Sequence, residues 1–122
     1  MNTKTYKDLI FWQRAFEVSK MIIKLVNQLP KNQANKIITS QILRSSMSVG
    51  ANIAEGYGRF GLKEYPRFLQ VALGSANETE YWLIILEENH PQFKNLIQEI
   101  ISRNSESIKM LAASIKSLRS KN

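Results

Sequence analysis

Apolar residues along the chain recur at intervals of three and four, the spacing that gathers side chains on one face of an α-helix. Between Tyr6 and Leu29 the stripe runs Leu9, Trp12, Phe16, Ile23 and Val26, with Ser19 in the slot between. Pro30 ends this helix, because the residue before a proline is pushed out of the helical region, and Pro30-Lys31-Asn32 reads as a turn. A second helix carries Ile38, Ile42, Met47 and Ile53. Its middle holds Ser45, Ser46, Ser48 and Gly50, poor helix formers, so packing has to hold it. Gly56, Gly58 and Gly61 then supply backbone freedom for a corner.

The third helix has Phe68, Ala72, Ser75, Thr79, Trp82 and Leu86 on one stripe, widened by Leu69, Val71, Leu73, Ala76, Leu83 and Ile84. Pro66 falls near its first turn, where a missing N–H does least harm. The fourth opens at His90-Pro91. Its seam is Phe93, Ile97, Ile100 or Ile101, Asn104, Ile108, Leu111, Ile115 and Leu118, which sets Asn104 among apolar neighbours. The expected spans are residues 6–29, 34–56, 62–89 and 91–118. No stretch alternates with period two. Four long helices joined by short turns predict one all-α domain, an antiparallel up-down-up-down four-helix bundle over residues 1–122.

Charge adds a direction to this scaffold. The chain has 122 residues, 17 Lys and Arg against 10 Asp and Glu, and a net charge of +7, which favours polyanionic partners. The excess is uneven: residues 1–61 carry +6, residues 62–90 carry −3 and residues 91–122 carry +4. There is no cysteine, which excludes disulfides and thiolate metal sites. The longest aliphatic and aromatic run, Tyr81 to Leu86, falls far short of the roughly 20 residues of a membrane span. Leu9 to Trp12 is likewise too short for the roughly 7 to 15 apolar residues of a signal-peptide core. A cytoplasmic protein is expected.

Several motifs resemble a known family. They are Phe11-Trp12-Gln13-Arg14-Ala15, Leu29-Pro30, Ser40-Gln41-Ile42-Leu43-Arg44, the run Ala51-Asn52-Ile53-Ala54-Glu55-Gly56-Tyr57-Gly58-Arg59, and Arg67-Phe68-Leu69 with Gly74-Ser75 and Glu78. In these the chain resembles the small bacterial four-helix bundle proteins encoded in intervening sequences of large-subunit ribosomal RNA genes. The resemblance covers roughly residues 6–118. It implies a homopentameric ring, and a relation to the accessory variability protein of diversity-generating retroelements, a basic pentamer that binds nucleic acid and a reverse transcriptase. The chain departs from the family pattern at Ser45-Ser46-Met47, where a fuller apolar run is common, and at Gly50, where proline often stands.

Candidate chemistry is sparse. Gly56-Tyr57-Gly58-Arg59-Phe60-Gly61 satisfies G-x-G-x-x-G, but a dinucleotide site needs those glycines between a strand and a helix. A glycine-rich turn between helices is the better reading, and no cofactor is expected. Glu87-Glu88-Asn89-His90 contains Glu-x-x-His, yet a di-iron bundle needs two such motifs and His90 is the single histidine. His90 reads instead as a helix-boundary residue, and no metal is expected. Neither a nucleophile–histidine arrangement nor a Walker motif is present, so no catalytic residue is assigned and the protein reads as non-enzymatic.

Two residue groups remain. Arg59, Lys63 and Arg67 surround the corner, where N–H groups at the start of the third helix also attract anions, so a nucleic-acid phosphate is a candidate ligand there. Lys7, Arg14, Lys20 and Lys24 extend the basic surface, with Lys31, Lys36, Lys116, Arg119 and Lys121. In a pentamer, five times +7 gives +35, a strong and salt-sensitive attraction to RNA or DNA. Arg44, Asn52, Glu55 and Glu78 are expected to form a structural polar network, Arg44 meeting Glu78 or Glu55. Trp12, Phe68 and Trp82 are expected in the core or an interface, and Tyr6, Phe11, Tyr57 and Phe60 at subunit contacts. The leading expectation is a non-enzymatic oligomeric binder of RNA or DNA, accessory to a nucleic-acid enzyme such as a reverse transcriptase. The alternative is a scaffold whose basic face meets an acidic protein.

Overall fold

A computed structural model describes residues 5–120. Among these residues every regular element is helical. The four long helices are α1 (Ile10–Val26), α2 (Gln33–Tyr57), α3 (Glu64–Asn89) and α4 (Lys94–Ser120). Each packs on the next and α4 closes on α1, with the α2–α3 contact the most extensive. None is long and apolar enough to cross a membrane.

Two helix starts differ from the expected spans. Residues Tyr6–Asp8 form a separate 3-10 turn. Thr5 and Asp8 cap each other reciprocally, the Asp8 carboxylate accepting from Thr5 N–H at 3.1 Å, and Leu9 then turns extended before α1 begins. At the other corner Pro91–Phe93 is a 3-10 turn preceding α4. The α1–α2 turn is longer than expected, since α1 ends at Val26 instead of running to Leu29. Asn32 caps α2 by accepting from the Asn35 N–H at 2.8 Å, a contact worth about 1 kcal/mol. His90 caps the end of α3, its N–H bonded to Leu86 O at 2.9 Å.

The buried face is rotated from the expected stripe in α1, and in α2 the expected Ile42 and Ile53 are buried but Met47 is not. In α1 the core residues are Ala15, Val18, Ile22 and Leu25, whereas Phe16 is 48% exposed and Ile23 39%. In α2, Ile42, Ser45, Ser46, Val49 and Ile53 turn inward and Met47 stays 45% exposed. The two competing stripes of α1 are offset by about one residue, or roughly 100° around the helix, and the partners' shapes select the one that fits. α4 follows its expected seam, with Ile100 the buried member of the isoleucine pair and Asn104 buried.

The core divides in two. One cluster contains Val18, Ile22, Leu25, Leu29, Ile42, Leu83, Leu86, Ile97 and Ile100. The other contains Leu9, Ala15, Val49, Ile53, Tyr65, Leu69, Ala72, Ala76, Leu111 and Ile115, edged by Tyr6, Phe11, Trp12 and Tyr57. Polar residues of α2, α3 and α4 lie between the two clusters in sequence, and Ser19 of α1 reaches them from within the first. Ser19 donates to Ser46 O at 3.1 Å, the Ser45 and Thr79 hydroxyls are 2.9 Å apart, and Asn104 donates to Ala76 O at 2.9 Å. These bonds satisfy polar groups that burial would otherwise penalise, so the serines that weaken α2 as a helix are what join it to α1 and α3.

The corner glycines have unlike roles. Only Gly61 has a positive φ, +88°. Gly56 lies inside α2, where an added Cβ would stand 2.6 Å from Phe68 Cβ, so its smallness lets α2 and α3 approach. Gly58 is the right-handed residue that ends α2.

Candidate nucleic-acid interface

Of the three corner cations, the fold brings together Lys63 and Arg67. They line a surface groove of about 450 Å³ with Pro66, Gln70, Val71 and, from the last turn of α4, Arg119. Gln70 and Arg119 also line the adjoining depression of about 340 Å³, which reaches Leu73, Ala112, Ile115 and Lys116. A path along α3 and α4 therefore presents Lys63, Arg67, Lys116 and Arg119, with no acidic side chain among its lining residues.

Arg59 is engaged elsewhere. Its guanidinium donates to Glu55 O at 3.2 Å, lies 3.6 Å from the Glu55 carboxylate, and covers the Phe68 ring at 4.7 Å. It ties the end of α2 to α3 by charge and cation–π contact. The first turn of α3 offers few donors to an anion. Tyr65 N–H already bonds Leu62 O at 3.2 Å, Pro66 has none, and Glu64 adds negative charge. Side-chain cations, more than the helix end, supply the attraction in this groove.

The α1 cations are dispersed. Lys7 sits in the 3-10 turn, its carbonyl accepting from Gln13 at 2.8 Å. Arg14 pairs with Glu106 of α4 at 2.9 Å, Lys20 lies 5.2 Å from the Phe16 ring centre, and Lys24 is exposed in the last turn.

The polar residues Arg44, Asn52, Glu55 and Glu78 fall into three groups. Arg44 pairs with Glu78 and donates to Gln41 at 2.9 and 3.2 Å, while Trp82 Nε1 donates to Glu78 at 2.9 Å. The Arg44 side chain is 54% exposed, so this pair clamps α2 to α3 at the surface. Asn52 donates to Ser48 O and Oγ at 2.8 and 2.9 Å, and Ser75 Oγ donates to Ser48 Oγ at 3.0 Å. Glu55 serves Arg59. An ion pair absent from the expectations joins Arg103 of α4 to Glu17 of α1, with Glu99 at 3.4 Å.

The aromatic residues pair with one another. Tyr6 meets Trp12 edge-on at 5.1 Å, Trp12 stacks on Phe16 at 5.0 Å, and Phe60 bridges Tyr57 and Tyr65 at 6.0 and 5.4 Å. Burial pushes the Tyr65 hydroxyl above its usual pKa of 10.0, and the neighbouring Tyr57 adds to the rise.

Arg119 and Lys116 lie some 50 positions from Lys63 and Arg67 in the chain. The signal that pairs them is topological: a fourth helix closing on the third brings its basic last turn back to the corner.

Four packed helices with a cationic groove define a small all-α bundle protein. The model of the 23S rRNA-intervening sequence protein family matches residues 7–113, and the chain belongs to that family. It is also similar to a solved crystal structure, that of a Bacteroides thetaiotaomicron protein of unknown function from the S23 ribosomal protein family. The two are 32% identical with a TM-score of 0.79, over 88% of this chain and 99% of the other. A search of curated proteins finds no match.

Proposed function

We propose that this protein is a non-enzymatic, cytoplasmic, oligomeric binder of RNA or DNA that holds the phosphate backbone in the α3–α4 groove. The observation that carries the reading is the convergence of Lys63, Arg67, Lys116 and Arg119, from two helices, on a path lined by no carboxylate. Such a path attracts phosphates through released counterions and reads no sequence. Its service to a nucleic-acid enzyme, a reverse transcriptase among them, is the extension of this reading.

The finer architecture is part of the proposal. Ser45 pairs with Thr79 and Ser48 with Ser75, numbers rising along α2 as they fall along α3, in keeping with an up-down-up-down bundle. A homopentameric ring is supported by two unlike surfaces. Exposed Phe16, Ile23 and Met47 flank Gly50, Ala51 and Ala54 in an apolar groove between α1 and α2. The outer face of α3 carries exposed Val71, Tyr81 and Ile84 beside Glu88. An interface between two different faces generates rings when its rotation closes.

Filter binding of single-stranded RNA across ionic strength tests the groove. Lys63→Ala with Arg119→Ala is expected to weaken binding and lower the log–log salt slope by about 0.7 per lost contact. Unchanged affinity and slope would sink the assignment. Mass under native conditions tests the ring, and a monomer at micromolar concentration overturns it.

A further inference from the structure

A second surface concavity lies far in sequence from the cationic groove, at the turn joining α1 to α2. It has a volume of about 960 Å³ and is lined entirely from the stretch between Val26 and Thr39. Its floor is aliphatic, formed by Val26, Leu29, Pro30 and Ile37, and Lys31 and Lys36 stand among the lining residues. Ile37 is 55% exposed and adds its apolar side chain to this floor.

We propose that this groove docks an acidic amphipathic helix of a partner protein, independently of the nucleic-acid reading. The argument for that occupant is charge complementarity over an apolar floor. From residue 18 to residue 54 the chain has no Asp or Glu, while Lys20, Lys24, Lys31, Lys36 and Arg44 fall in that interval. No carboxylate lines the groove to compete for its two lysines. Apolar side chains spaced three and four apart on a partner helix fill an aliphatic groove, and flanking carboxylates meet the lysines. A nucleic acid fits poorly, since no lining residue is aromatic and bases have no ring to stack on.

The turn is also held in shape before anything binds. Asn35, a lining residue, is 5% exposed and has three polar partners. Its N–H bonds Asn32 Oδ1 at 2.8 Å, its side-chain amide donates to Pro30 O at 2.7 Å, and its Oδ1 lies 2.9 Å from His90 Nε2. The histidine thus pins the α1–α2 turn to the end of α3. A groove fixed in this way loses little entropy when a partner orders on it.

Fluorescence anisotropy with the intact protein provides the test. The probe is a labelled helical peptide of about four turns, with Leu at the three-four positions and Glu elsewhere. Saturable binding is expected, weakened about tenfold or more by Ile37→Glu, which changes an exposed side chain and leaves the core intact. Lys31→Ala with Lys36→Ala is expected to weaken it about fivefold and flatten its salt dependence, a second variant that does not disturb the floor. A scrambled peptide of the same composition is expected to bind at least about tenfold more weakly. Equal binding of the scrambled peptide, or full affinity in Ile37→Glu, overturns the proposal. So does a change in sedimentation mass with Ile37→Glu, which assigns the groove to a second copy of this chain. Binding of phosphatidylglycerol vesicles or single-stranded RNA that Ile37→Glu abolishes assigns it to a membrane or a nucleic acid and equally overturns the peptide.

Discussion

The two core clusters are built from different materials. In the one around Ile22, Ile42 and Leu83 every buried member is a large branched aliphatic, with Trp82 and Phe93 at its edge. The one around Ala15, Ala72 and Ala76 sets three alanines and Tyr65 among its larger aliphatics and is edged by Tyr6, Phe11, Trp12 and Tyr57. Its helices are spaced by backbone proximity, as Gly56 against Phe68 shows. The first derives its stability from buried volume, the second from close approach. Substitutions that remove volume should therefore hurt most in the first, and those that add it should hurt in the second.

The largest effect is expected from Leu83→Ala, at a position with no exposed surface. It should cost about 2–5 kcal/mol of unfolding free energy in urea denaturation. A loss below about 1 kcal/mol would show that the aliphatic half is not the close-packed one.

Gly56→Ala probes the other half from the opposite direction. The added methyl would meet Phe68 Cβ, which is fixed to the α3 backbone and cannot swing away. A loss of about 1–3 kcal/mol is expected, with the m-value unchanged. Stability equal to the parent's would mean that α2 and α3 have slack at the corner, and the contrast between halves would fail there.

The smallest effect belongs to Tyr65→Phe, read against pH. The Tyr65 hydroxyl is raised from 10.0 chiefly by burial and further by Tyr57, so the folded protein holds its proton more tightly than the unfolded chain. That contribution is present in full below about pH 10 and is lost as pH rises through the raised native value. Thermal melts should show the parent losing stability above about pH 10 more steeply than Tyr65→Phe. Parallel alkaline profiles would remove the buried hydroxyl from this half's account.

Much of this protein was legible in the linear pattern. Four helices, the proline turn after Leu29, the boundary at His90 and the buried seam of α4 all follow from short-range rules of spacing, capping and backbone restriction, which act within a few residues. The family follows from the same residues, its motifs being local. The candidate groove was legible in part: Lys63 and Arg67 share a helix face four residues apart, and that is a local fact.

What only the tertiary structure decided is which surfaces meet. In α1 the stripes Phe16–Ile23 and Val18–Ile22–Leu25 have equal claims as helical faces, and the shapes of α2 and α4 chose the second. Gly56 reads like its neighbours Gly58 and Gly61 until Phe68 is set beside it. Arg59 reads like Lys63 until Glu55 and Phe68 claim it. Arg119 joins Lys63 and Arg67 only because α4 closes against α3. Local propensity determines where each helix begins and ends. Complementary packing between residues distant in the chain determines what each helix face becomes.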